Sequence, residues 1–128
     1  MNRTTDKVVA LVTCGSAREA NRIARALVER RVAACVNVLG TPVHSTYRWR
    51  GKVETAAEYL LLIKSSRKKF RALRAEVEHL HSYQVPEIIT LPIVEGSQAY
   101  LRWLGECLRP AVIRRRGTEV QSKKRPKS

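Results

Sequence analysis

The chain has 128 residues, 44% of them hydrophobic, and a formal charge of +14 from 25 Lys and Arg against 11 Asp and Glu. That length suits one domain whose core is stable without disulfide or metal staples, and it argues against two. No apolar run reaches the roughly 18 residues of a spanning helix, so a helical membrane protein is excluded. The cysteines Cys14, Cys35 and Cys107 are odd in number and lack CxxC spacing, so they read as free thiols and the protein as cytoplasmic.

Half of the net charge lies at one end. Arg109 to Ser128 carry eight basic residues and one acidic one, and the preceding residues carry seventeen and ten. The expected organisation is therefore a domain over 1–109 and a basic tail over 110–128. With two prolines and no periodicity, the tail reads as disordered. It either attracts phosphate or membrane surfaces without specificity, or is a solvated extension with no dedicated partner.

In chain order, Lys7 to Cys14 is an apolar run that reads as a strand buried on both faces. Ser16 and Glu19 then form a capping box, in which Ser16 accepts from the Glu19 amide and Glu19 reaches back to the Ser16 amide. Ala20, Ile23, Ala24, Leu27 and Val28 follow at helical spacing with Arg18, Arg22 and Arg25 outside, predicting an amphipathic helix.

Val32 to Lys64 predicts two unusually long strands around a break at Arg50, Gly51 and Lys52. An arm about twice the usual strand length overhangs its own sheet and needs something to pack against, which points to a partner subunit. Alternation puts Tyr47 and Trp49 on one face of the arm tip, as an aromatic surface for a neighbour or for the chain's own core. The first arm contains Pro42 and is expected at a sheet edge; the second holds Pro-free Tyr59 to Ile63 and is expected at the centre.

Ser65 and Ser66 are expected to cap a second helix with Phe70, Leu73, Val77 and Leu80 inward, ending near His81 ahead of Pro86. Pro86 to Val94 predicts a fourth strand, placed at the other edge by Pro92. Ser97 opens a third helix that stops before Pro110. The order βαββαβα, with prolines at the edges, sets the strands fourth, first, third, second in an antiparallel sheet with both main helices on one face. This is the α+β, ferredoxin-like arrangement with an extra C-terminal helix and a long hairpin between the second and third strands.

Several stretches, in order over residues 8 to 108, now resemble one family: Ala33-Ala34-Cys35; Tyr47, Trp49, Gly51, Lys52 and Glu54; Glu58 and Lys64; His81, Tyr83 and Pro86 to Ile89; Leu91 to Ile93; Tyr100-Leu101 and Trp103-Leu104. Together they resemble the CutA divalent-cation tolerance proteins. The resemblance implies a homotrimer with the hairpin lying across a neighbour, and a role in tolerance of copper and other divalent metals. It also implies a ligand-binding cleft at the subunit boundary that collects Trp49, Glu54, Glu58, Lys64, Tyr83 and Glu87.

The chain departs from that family where metal is concerned. Its cysteine falls at Cys14 after Thr13, Leu80 replaces one of two adjacent histidines so that only His81 matches, Ser82 stands for a proline and Gln84 for a glutamate. A copper site carried over on this resemblance is incomplete. It leaves His81 as the candidate metal ligand, in an intersubunit site for copper or another divalent cation, with no cofactor required.

The residues themselves show no HExxH or paired CxxC spacing, and the positive field repels free divalent cations. No nucleophile and base stand at motif spacing, and there is no P-loop or dinucleotide fingerprint, so an enzyme is not expected. Glu54, Glu58, Lys64 and Tyr83 either converge in a cleft for a small anion or metabolite, or Lys64 pairs with a glutamate across the interface and sets the trimer register. Two other classes remain. One is nucleic-acid association through the basic tail, since the central strands lack the aromatic platforms of RNA-recognition domains. The other is a trimeric signalling protein like the PII regulators, for which no nucleotide-cradling loop is seen.

Overall fold

A computed structural model describes residues 5–110. In order these form β1 (Lys7–Cys14), α1 (Ala17–Glu29), β2 (Cys35–Val38), β3 (Val43–Trp49), β4 (Lys52–Ser66), α2 (Phe70–Leu80), β5 (Ile89–Pro92) and α3 (Gln98–Cys107). The expected tail over 110–128 falls, apart from Pro110, outside the described residues.

The sheet runs β2-β4-β1-β5, with β3 paired to β4 beyond it, and every pairing is antiparallel. The central strands β4 and β1 are free of proline, Pro92 lies in edge strand β5 and Pro42 in the segment after edge strand β2, because a proline ring removes the amide that an interior ladder uses. Pro42 falls in the break between β2 and β3, so the expected single first arm is two strands on one partner.

Opposed residues of a ladder share a face. Ala10 with Ile63 and Val12 with Leu61 point toward α1 and α2, where they meet Ile23, Leu27, Leu73 and Val77, all with no exposed surface. Both main helices therefore cover one side of the sheet. The other side carries Val9, Leu11, Leu60 and Leu62, half-buried, and Ile89 and Leu91, half-exposed. There α3 covers only one end, where Gly105 lies beside Lys7 and Leu104 and Leu108 pack on Ala34.

The arm is longer than its sheet. At 15 residues β4 spans about 50 Å, yet only Tyr59–Ser66 pair with β1. Lys52–Glu58 pair with β3 alone, as a two-stranded ribbon that is marginal by itself in water. Trp49 and Lys52 close it around Arg50 (φ 52°) and Gly51 (φ 81°), the paired left-handed residues of a type I′ turn, whose twist matches that of the strands.

Three local expectations are corrected. Ser65 and Ser66 do not cap α2: they end β4, the Ser65 hydroxyl donates to the Val32 carbonyl at 2.6 Å, and the N-cap Lys69 makes no side-chain cap bond. The capping box of α1 is half made. Ser16 accepts from the Glu19 amide at 3.1 Å, but the Glu19 side chain leaves for Ser82. The fourth strand is shorter than Pro86 to Val94, because Pro86 to Ile88 run irregularly before Ile89–Pro92 pair with β1.

At the end of α1, Val32 donates to the Leu27 carbonyl and Arg31 to the Val28 carbonyl, a Schellman closure with Arg31 at φ 59°. Glycine is usual there. Here the Arg31 guanidinium donates to the Cys107 carbonyl at 3.2 Å and so ties α3 to the end of α1. The core itself depends on Leu61, which faces both helices with no exposure. Leu61→Ala is expected to cost about 2 to 5 kcal/mol, measured by chemical denaturation.

Candidate functional site

The arm leaves the sheet where β1 ends, and the chain between α2 and β5 passes beneath it. The three segments enclose a cleft of about 730 Å³ lined by Thr13 of β1, Ser45, Tyr47 and Trp49 of β3, Glu58 of β4, and Tyr83 to Glu87. Trp49, Glu58, Tyr83 and Glu87, four of the six expected ligand residues, thus line one cleft within one chain, with Trp49, paired to Lys52, toward the arm tip and Glu58 at its root.

The other two do not. Glu54 is exposed on the arm opposite Tyr47, at the margin of the cleft. Lys64 is six residues along β4 from Glu58, about 20 Å at strand rise, and there its ammonium donates to the Asn37 side-chain oxygen. Within one subunit Lys64 is not a neighbour of the Glu58 carboxylate.

Glu58 is the centre of the cleft. It is 6% exposed, and its Oε2 accepts from the Tyr83 hydroxyl at 2.7 Å. Its other oxygen has no hydrogen bond and no ion pair among the described residues. Tyr83 as a residue is 37% exposed, but its hydroxyl is withdrawn against Gly15 and Glu58. Burial, and next the bond to Glu58, push the phenol well above its ordinary value of 10.0, so it stays a donor.

Tyr83 is held from behind by His81, whose side chain has no exposed surface. The Tyr83 amide donates to His81 Nδ1 at 3.0 Å, so that nitrogen is the acceptor and Nε2 carries the proton, donating to the Thr13 carbonyl at 2.8 Å. Glu19 Oε2 lies 3.7 Å from Nδ1 but is taken by the Ser82 amide at 2.6 Å, while Oε1 accepts from the Ser82 hydroxyl at 3.0 Å. A metal ion at either nitrogen of His81 would displace a backbone partner. No group of three or more His, Cys, Asp or Glu placed to hold a metal exists among the described residues.

Thr13, Glu19 and Ser82 escape a reading of the sequence. Glu19 has the position of a capping residue, and nothing local shows that its carboxylate instead fixes a turn 63 residues away. Cys14, with no exposed surface, backs the same corner, and burial pushes its thiol up to about 12, assisted by the nearby Glu19 and Glu58.

This arrangement defines a class: a small α+β protein with an antiparallel sheet, three helices and a carboxylate-bearing cleft at the root of a projecting β-arm. The chain belongs to the CutA1 divalent ion tolerance protein family, whose model matches residues 8–107. It is 49% identical over 98 residues to the divalent-cation tolerance protein CutA of Thermus thermophilus, a match covering 77% of this chain and 94% of that one. A CutA homolog of Xenopus laevis is 47% identical over 97 residues, 76% of this chain and 64% of its own. The structure of the periplasmic divalent cation tolerance protein CutA from Archaeoglobus fulgidus superposes with a TM-score of 0.77 at 38% identity, covering 80% of this chain and 99% of that chain.

Two outcomes test the corner behind the cleft. His81→Ala leaves the Thr13 carbonyl and Tyr83 amide without partners, and is expected to cost about 1 to 3 kcal/mol in denaturant unfolding. Cys14 is raised from 9.0 to about 12, so its contribution is complete below pH 9 and is lost as pH rises toward 12. Stability should therefore fall above about pH 9, by up to about 1.4 kcal/mol per pH unit from this group, and Cys14→Ala should flatten that slope.

Proposed function

We propose that this chain is a non-enzymatic binding protein of divalent-cation tolerance, working in the cytoplasm as a homotrimer of ferredoxin-like protomers and taking its ligand in the cleft under the arm. The observation that carries the reading is Glu58: a carboxylate almost fully withdrawn from water, with one oxygen unpartnered among the described residues, aimed into a cleft. Leaving such a group unanswered costs several kcal/mol, so a partner from outside the protomer is called for.

Two further features support the assembly. The ribbon of Val43–Trp49 and Lys52–Glu58 extends past the sheet with Tyr47, Trp49 and Val53 exposed. The helix-free sheet face also presents Ile89 and Leu91, each about half exposed, beside Leu60 and Leu62. A neighbour covering both would complete the cleft at the boundary between subunits. Free Cys14, Cys35 and Cys107 suit a reducing compartment. The cargo in this reading is copper or another divalent cation, met at the cleft directly or through a small ligand.

Light scattering should give three times the chain mass, and Leu62→Asp with Ile89→Asp should divide it; a folded species of single-chain mass would refute the assembly. In cells lacking the gene and grown in raised copper, the wild type should restore growth. Glu58→Gln, still assembled, should not.

A further inference from the structure

We infer that the outer face of the two main helices docks the phosphate backbone of a double-stranded nucleic acid, held by charge without reading its sequence. The inference goes beyond the tolerance reading and does not use the cleft.

The positive charge of the described residues is placed on one layer. Residues 16–30 and 67–80 build α1, α2 and their ends, and they carry nine Lys and Arg against four Glu, a surplus of five. The other described residues carry eight against six, a surplus of two. Both helices cover one side of the sheet, and the Arg30–Glu76 pair at 3.1 Å joins them, so their outer faces form one surface. The assembly proposed above covers the arm and the opposite side of the sheet, which leaves this surface open.

The four acids do not neutralise the layer. Glu19 is buried and holds Ser82, while Glu29, Glu76 and Glu78 are each taken by one Arg of the layer. Arg18, Arg22 and Arg71 are exposed and make no ion pair among the described residues. Helix stability does not account for the placement. Lys68, Lys69 and Arg71 stand at the N-terminal end of α2, where the helix dipole disfavours cations, and no acid stands in the first turn. Charge held on one face against the dipole fits an extended anion.

The chemistry of the face selects among such anions. Seven of the nine cations are Arg, whose planar guanidinium meets phosphate oxygens in pairs. A membrane surface takes up apolar side chains, but the apolar stripes of both helices face the core, and Val28 is the one large hydrophobic residue exposed in these segments. Single strands are held by stacking on open aromatic rings, and the only Phe, Tyr or Trp of the layer, Phe70, is half-buried. A duplex backbone needs neither anchor nor platform, only cations set along a surface.

The test uses the full chain and a fluorescein-labelled DNA duplex of arbitrary sequence, with anisotropy read from about 50 to 200 mM salt. The logarithm of the affinity should fall linearly with the logarithm of the salt concentration. Arg22→Ala and Arg71→Ala should each make that slope shallower by about 0.9, one phosphate contact apiece, and Arg102→Ala on α3 should leave it unchanged. All three residues are exposed, so circular dichroism and light scattering should report an unaltered fold and assembly.

A slope as steep in the Arg22→Ala, Arg71→Ala double variant as in the wild type would overturn the inference and assign the binding to residues outside the helix layer. An equal change in Arg102→Ala, no duplex binding at the lowest salt, or tighter binding to phosphatidylserine vesicles or to single-stranded DNA would overturn it as well.

Discussion

The structure depends on a mismatch of lengths. β4 is a 15-residue strand in a sheet that uses only its second half, so the first half must project, taking β3 with it. The buried end of the candidate site gathers at the point of departure, while Tyr47 and Trp49 line it farther out along the arm. Glu58 is the last residue of β4 before pairing with β1 begins, Thr13 lies at the end of β1, and the loop after α2 closes the space below. Without the overhang these residues would belong to an ordinary sheet edge.

The loop is kept in place by polar groups that face backwards, away from the cleft. His81 spans from the Thr13 carbonyl to the Tyr83 amide, and Glu19 takes both donors of Ser82. These bonds join β1, α1 and the loop, and each buried polar atom in them has a partner. The contrast with Glu58 is therefore informative. Glu19 and His81 have their bonding completed by the chain, whereas one oxygen of Glu58 has no partner among the described residues.

Much of the fold was legible in the sequence because it is governed by local rules. Pro42 and Pro92 marked the edges, Tyr59 to Ile63 marked the centre, and the period of Ala20, Ile23 and Leu27 marked the face of α1. What could not be read was set by long-range partners. Ser65 and Ser66 look like caps, yet Ser65 gives its hydroxyl to Val32, 33 residues earlier. Glu54, Glu58 and Lys64 look like one cluster when written out, but an extended chain spreads them along the arm. Only Glu58 reaches the lining. His81 has the composition of a metal ligand, and the backbone atoms that occupy its ring are visible only once the chain is folded.

The thiols carry a last consequence. Soft cations and oxidants react with thiolate sulfur far more readily than with a protonated thiol. Burial holds Cys14 and Cys107 above their ordinary values, and Cys14 has no surface open to solvent. At Cys14 and Cys107 the sulfur is thereby kept in its less reactive protonated form, and at Cys14 it is also sealed from solvent.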